Sequence, residues 1–205
     1  MRLFPRLALL AALAVPAFAQ SIAFEPDMNH TVIGFKAATL LFKVDGTFRR
    51  WRTDISGDPK TLEGASVKVT LYTNSISTKN KQRDEHLQSE DFFDAGKHPR
   101  ITFTSSKVVR EGGKVVVTGT LDMHGVKKEL SIPFEPAFGK NGAGADTWSY
   151  EGTLKINRKD FGIGADSVAA KISLKDEVEL NLLLVGFFNE KKADAPQPAV
   201  KKKAA

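Results

Sequence analysis

The chain has 205 residues, a formal charge of +6, 41% hydrophobic and 26% charged residues, and no cysteine. That balance suits one globular domain and argues against a multi-span membrane protein or a wholly disordered chain. The missing cysteines exclude disulfides, thiol chemistry and cysteine-zinc sites.

Residues 1–19 combine Arg2 and Arg6, an apolar run from Leu7 to Val15, and the small-x-small pattern Ala17-Phe18-Ala19. This reads as a secretory signal peptide cleaved before Gln20; the run falls short of the roughly 20 residues that span a bilayer. The expected location is the periplasm. Arg2 and Arg6 leave with the signal, and residues 190–205 hold five lysines against Glu190 and Asp194, so residues 20–189 carry a charge near +1. A nucleic-acid partner is not expected, because phosphate binding concentrates basic charge on the folded surface. Residues 20–189 read as one barrel, and 190–205 as a disordered Lys/Ala/Pro tail that aids solubility and offers weak, transient contact with anionic membrane.

Near the start of the body, Asp27 and His30 fit either a base with its orienting partner or a pair fixing the start of the first strand. Period-two alternation then dominates: Val67, Val69, Leu71; Ile101, Phe103, Ser105; Val115, Val117, Gly119, Leu121; Leu130, Ile132, Phe134; Trp148, Tyr150, Gly152, Leu154, Ile156; and Val178, Leu180, Leu182, Leu184. Gly57-Asp58-Pro59, Glu111-Gly112-Gly113 and Gly139-Lys140-Asn141-Gly142 supply turns. About eight strands with short turns and little helix predict an all-β fold, an antiparallel sheet closed on itself or a sandwich.

The stretch Asn74–Arg100 breaks this pattern. Thr78 is expected to cap a short helical segment through Leu87, and Ser89 a second turn. Both fall below the ~12 to 15 residues at which isolated helices become marginal in water, so they must lean on the sheet through Leu87, Phe92 and Phe93. The insertion plugs one barrel end or acts as a lid.

The aromatic inventory is lopsided, with 14 Phe against 2 Tyr and 2 Trp. An eight-stranded barrel is either filled by side chains or holds one small ligand, and composition leaves both open. With Phe35, Phe42, Phe48, Phe92, Phe93 and Phe103 facing inward, and Leu71 on an alternating run, the interior would suit a hydrocarbon chain. Arg83, Asp84 and His86 read as a head-group cluster or as surface charge pairing. Arg158 and Asp160 read as ligand contacts or as a turn with an ion pair anchored by Phe161.

Signals for catalysis are few. His30, His86, His98 and His124 form no His-x-x-x-His or His-x-His pair, so no metal is expected. Ser75-Ile76-Ser77-Thr78 lacks a nucleophile elbow, and Gly162-Ile163-Gly164 lacks the rest of a dinucleotide fingerprint, so no cofactor is expected. The competing classes are a periplasmic enzyme acting on a small apolar substrate and a protein-interaction module working through a barrel edge or the tail. A homodimer is compatible with the chain, though no self-complementary patch can be read.

The order of motifs is distinctive: Asp27-x-x-His30 before a strand through Phe35; Val44-Asp45-Gly46-Thr47-Phe48; Ser75-Ile76-Ser77-Thr78; Arg83-Asp84-Glu85-His86-Leu87 running to Asp91-Phe92-Phe93-Asp94; His98-Pro99-Arg100-Ile101-Thr102-Phe103; Gly119 to Val126; and Asn157 to Ile163. In this the chain resembles the YceI-like family of periplasmic polyisoprenoid-binding proteins from about Ile22 to Phe187, most specifically in the Arg-Asp-x-His-Leu to Asp-Phe-Phe-Asp block. The resemblance implies an extended, lipocalin-like, eight-stranded antiparallel barrel whose cavity takes an isoprenoid lipid or quinone for binding and transport. Two departures bear on head-group preference: Lys36-Ala37-Ala38-Thr39 stands where members often carry a histidine, and His124-Gly125 where they carry Arg-Gly.

Overall fold

A computed structural model describes residues 22–62 and 64–190. The strands are β1 (Ile22–Pro26), β2 (Val32–Thr39), β3 (Lys43–Phe48), β4 (Trp51–Ser56), β5 (Ser66–Tyr72), β6 (Ile76–Ser77), β7 (Arg100–Glu111), β8 (Lys114–Met123), β9 (Val126–Lys140), β10 (Asp146–Asn157) and β11 (Leu174–Glu190). The helices are α1 (Lys81–Gln88) and α2 (Val168–Ser173), with 3₁₀ turns at Thr73–Ser75 and Arg158–Phe161.

Hydrogen bonding runs β1-β4-β5-β7-β8-β9-β10-β11 and returns to β1, so eight antiparallel positions close into a barrel. Two positions are interrupted courses. The seventeen-residue β11 pairs with β1 along one half and β2 along the other, while β3 and β4 continue one another across Arg49-Arg50. Closure satisfies the edges that an open sheet would expose.

Local chemistry sets the corners. Between β7 and β8, Glu111 pairs with Lys114 across Gly112-Gly113, both at positive φ, the two-residue hairpin that matches strand twist. His124-Gly125 repeats this between β8 and β9, with His124 at φ 54°. Asp27 and His30 hold the break between β1 and β2 rather than the start of the first strand. The Asp27 carboxylate accepts from the Asn29 N–H at 2.9 Å and lies 2.7 Å from His30 Nδ1, and these bonds hold its pKa below the ordinary aspartate value. Thr31 then restores the ladder, its hydroxyl donating to the Val185 carbonyl and accepting from the Val185 N–H.

The helical insertion starts two residues later than expected. Asn80, not Thr78, caps α1, its side chain accepting from the Arg83 N–H at 3.0 Å. Thr78 is held instead by the Asp84 carboxylate at 2.6 Å and by Arg83 Nε at 2.7 Å. A turn does follow Ser89, with the Phe92 and Asp94 N–H groups donating to the Ser89 carbonyl at 3.1 and 2.8 Å, but the Ser89 hydroxyl closes α1 by donating to the His86 carbonyl instead of capping that turn. No α1 residue is fully buried, yet Leu87 packs against the core as expected, with Phe92 and Phe93 just beyond the helix, and the Thr78-Arg83-Asp84 network adds polar anchorage.

Candidate functional site

The alternating positions of β5, β7, β8, β9, β10 and β11 turn one apolar face inward, yet their side chains do not fill the interior. A cavity of about 170 Å³ lies within the barrel, with Val69, Leu71, Phe103, Val117, Ile132 and Leu182 among its walls. Gly57, Pro59, Leu62 and Ala65 border it at the far end, where β1 begins and β11 ends. A second cavity of about 80 Å³ lies toward α1, between Phe35, Leu87, Phe93, Ile163 and Leu174. Phe48, Met123, Ile156 and Leu180 line both. These four side chains form a septum between two parts of one apolar hollow.

Phenylalanine rings border the hollow without plugging it because several lie over glycines. A Cβ at Gly46 would overlap the Phe35 ring, and one at Gly152 would come within 2.7 Å of the Phe134 ring. In both pairs the glycine is the direct cross-strand partner of its phenylalanine. Phe103 over Gly119 and Phe24 over Gly186 also lay a ring over a glycine, here from a diagonal cross-strand position. Laid into these gaps, the rings thicken the wall and leave the axis open.

Seven of the ten expected contact residues reach the hollow. Leu71 and Phe103 line the larger cavity, Phe35, Phe92, Phe93 and Arg158 the smaller, and Phe48 both. Phe42, expected to face inward, is 58% exposed in the turn between β2 and β3. There Thr39 binds the Phe42 backbone, its hydroxyl donating to the carbonyl and accepting from the N–H, and fixes the ring outside the barrel. His86 lies on exposed α1, its Nε2 3.1 Å from the Asp91 carboxylate and its ring edge against Phe92. Phe161, 1% exposed, packs in the core without lining either cavity. Sequence reasoning missed Phe24, Met123 and Phe188 as lining residues. Met123 extends the alternation of β8 by one step and was legible; Phe24 and Phe188 needed the pairing of β1 with β11, where their rings meet at 5.1 Å.

Arg158 has no donor to spare for a ligand. Its side chain is 3% exposed; Nη1 donates to the Ile163 and Gly164 carbonyls at 2.8 and 3.0 Å, Nε to Lys175 at 3.1 Å, and Nη2 to Leu174 at 3.4 Å and the Asp176 carboxylate at 2.9 Å. It locks the 3₁₀ turn, the segment before α2 and the start of β11 together. The turn with an ion pair is thus present, but the partner is Asp176; Asp160 pairs with Lys128 at 2.7 Å. Among the described residues no group of three or more metal-ligating side chains assembles. His98 and His124 touch ring to ring at 4.6 Å, and His124 Nδ1 lies 3.0 Å from the Phe161 carbonyl.

The clearest electrostatic imprint of the hollow falls on Tyr150, whose ring lines the larger cavity. Burial pushes its pKa from 10.0 up to about 12. The folded state favours the neutral phenol, so the contribution to stability is complete below pH 10 and is lost as pH rises through 12. In a Tyr72→Phe variant, which leaves Tyr150 as the one tyrosine, phenolate absorbance should titrate near pH 12; a midpoint at the ordinary value would place the ring in water.

An antiparallel barrel closed at eight positions around an apolar hollow is lipocalin-like in architecture. A family model for the YceI-like domain matches residues 24–185, and the chain belongs to that family. It is 35% identical over 180 residues to a UPF0312 protein of Vibrio parahaemolyticus, covering 83% of this chain and 93% of the relative. It is 36% identical over 154 residues to a UPF0312 protein of Pseudomonas savastanoi pv. phaseolicola, covering 72% and 78%. Among solved structures, BcnA of Burkholderia cenocepacia superposes with a TM-score of 0.68 at 26% identity over 80% of this chain and all of that one. A polyisoprenoid binding domain from Saccharophagus degradans superposes at 0.60 with 16% identity over 82% and 98%, a likeness of fold.

Proposed function

We propose that this chain binds an isoprenoid lipid, such as a polyprenyl quinone, non-covalently within the barrel and carries or stores it in the periplasm after removal of residues 1–19. The observation that carries this reading is the divided apolar hollow. Burying a prenyl tail returns roughly 25 cal/mol for each Å² of apolar surface taken from water, which over several isoprene units offsets the entropy of ordering the chain. Walls built mostly of Val, Leu, Ile and Phe present an almost wholly apolar surface to a hydrocarbon. The Saccharophagus degradans domain of like fold is a polyisoprenoid binding domain, which agrees with this ligand class. The chain is read as doing no chemistry on its guest.

The test is organic extraction of signal-processed protein purified without detergent from its native host, followed by mass spectrometry. An isoprenoid lipid in stoichiometric amount is expected. Absence of any lipid, together with failure of added polyprenyl quinones to bind, would overturn the reading.

A further inference from the structure

Five large apolar side chains stand in water at the barrel end nearer the smaller cavity. Leu40, Leu41 and Phe42, in the turn between β2 and β3, are 72%, 90% and 58% exposed, and Val168 and Ile172 of α2 are 71% and 70% exposed. The two elements adjoin: the Leu40 N–H donates to the Ser173 carbonyl at 3.0 Å, and Thr39 pairs with Leu174. The turn is fixed, because the Thr39 hydroxyl accepts from the N–H groups of both Leu41 and Phe42. A preset cluster of five such side chains marks an interaction site.

We infer that this cluster is a docking tip for the surface of an anionic phospholipid bilayer, through which the barrel receives and releases its lipid. The inference rests on the proposed function and names where that function meets the membrane. Charge favours a bilayer over a second copy of the chain. Lys43 follows Phe42, Lys171 lies on α2 beside Ile172, and Lys175 follows Leu174; among the described residues Lys43 and Lys175 form no salt bridge, and Lys171 meets only Asp166, at a loose 3.8 Å. These cations would repel the same patch on another copy and attract acidic head groups. Position favours it too. Ala37 and Leu174, close in sequence to the exposed residues, line the smaller cavity, so the apolar surface continues from the tip into the hollow. Ile22 pairs with Glu190 at the opposite end, so the lysine-rich tail begins far from this tip.

The test is co-sedimentation of the full signal-processed protein with vesicles of phosphatidylglycerol and phosphatidylethanolamine, and with phosphatidylcholine vesicles as the neutral control. Alongside, binding of a water-soluble short-chain prenyl quinone is measured without vesicles. Wild type should partition onto the anionic vesicles, less so as salt rises. L41D/F42D should lose at least about tenfold of that partitioning while binding the quinone unchanged; both residues are exposed, so the fold has little to lose. Truncation after Asn189 should retain vesicle binding. Equal sedimentation of L41D/F42D and wild type, or loss confined to the truncation, would overturn the tip. So would a wild-type dimer that L41D/F42D dissociates, which would make the patch a self-association surface. Quinone binding without vesicle binding would reject the tip alone; vesicle binding through the tip without quinone binding would reject the lipid-carrier reading and leave the tip standing.

Discussion

Val117→Trp should weaken binding of a polyprenyl quinone by at least about tenfold and leave a folded barrel. Val117 is 4% exposed in the middle of β8 and lines the larger cavity. An indole there must project along the hollow, in the space a prenyl chain would occupy. Overpacking a filled core costs typically about 1–3 kcal/mol, but here the added atoms have a cavity of about 170 Å³ to enter, so the loss of stability should sit at or below the lower limit. Val116→Trp is the control. One residue along the same strand, it faces the other side of the wall and lines neither cavity, so it should bind as wild type does. Calorimetric titration of both variants checks the expectation; equal affinities would show that the guest does not pass Val117.

The largest loss of stability should come from Arg158→Ala, at about 3 kcal/mol or more by urea denaturation at neutral pH. Removing the guanidinium takes this donor from the buried carbonyls of Ile163 and Gly164, where an acceptor left unpaired costs ~1–3 kcal/mol, and from the part-buried carbonyls of Leu174 and Lys175, which water reaches more easily. Asp176 adds little, because it is 42% exposed and also bridges Lys159 at 2.9 Å; Asp176→Asn should cost under about 1 kcal/mol. Arg158→Lys should recover less than half of the loss, since one ammonium cannot reach both the Ile163-Gly164 side and the Leu174-Lys175 side. The amides around α2 should exchange fastest in Arg158→Ala. A loss within 1 kcal/mol of wild type would remove Arg158 as the lock.

Much of this architecture was legible in residue order. Where alternation was unbroken, as from Val115 to Leu121 and from Val178 to Leu184, strand and inward face followed directly, because a side-chain period of two admits one assignment. The kinked positions were harder: Asp27-His30 and Arg49-Arg50 interrupt strands whose partners are distant in sequence. Whether the interior was solid or hollow could not be read from phenylalanine content, since the answer depends on Phe35 meeting Gly46 and Phe134 meeting Gly152 across a register that only pairing reveals. Phe42 shows the limit of counting aromatics, because Thr39, three residues before it, ties its backbone into a turn that points the ring outward. α2 is six residues long, too short for periodicity to announce, and its lock joins Arg158 to Asp176 eighteen residues away. The family motifs conveyed the fold from the same residues, but not which of them face the cavity.

The claim on which the rest depends is that a prenyl chain lies along the barrel axis. Nuclear Overhauser contacts between the methyl groups of a bound polyprenyl quinone and methyl-labelled protein test it most directly. Contacts to Val69, Val117 and Leu182 in the larger cavity, continuing to Met123 at the septum, are expected. Saturating quinone that touches only exposed methyls such as those of Leu41 or Val168, or none, would contradict it.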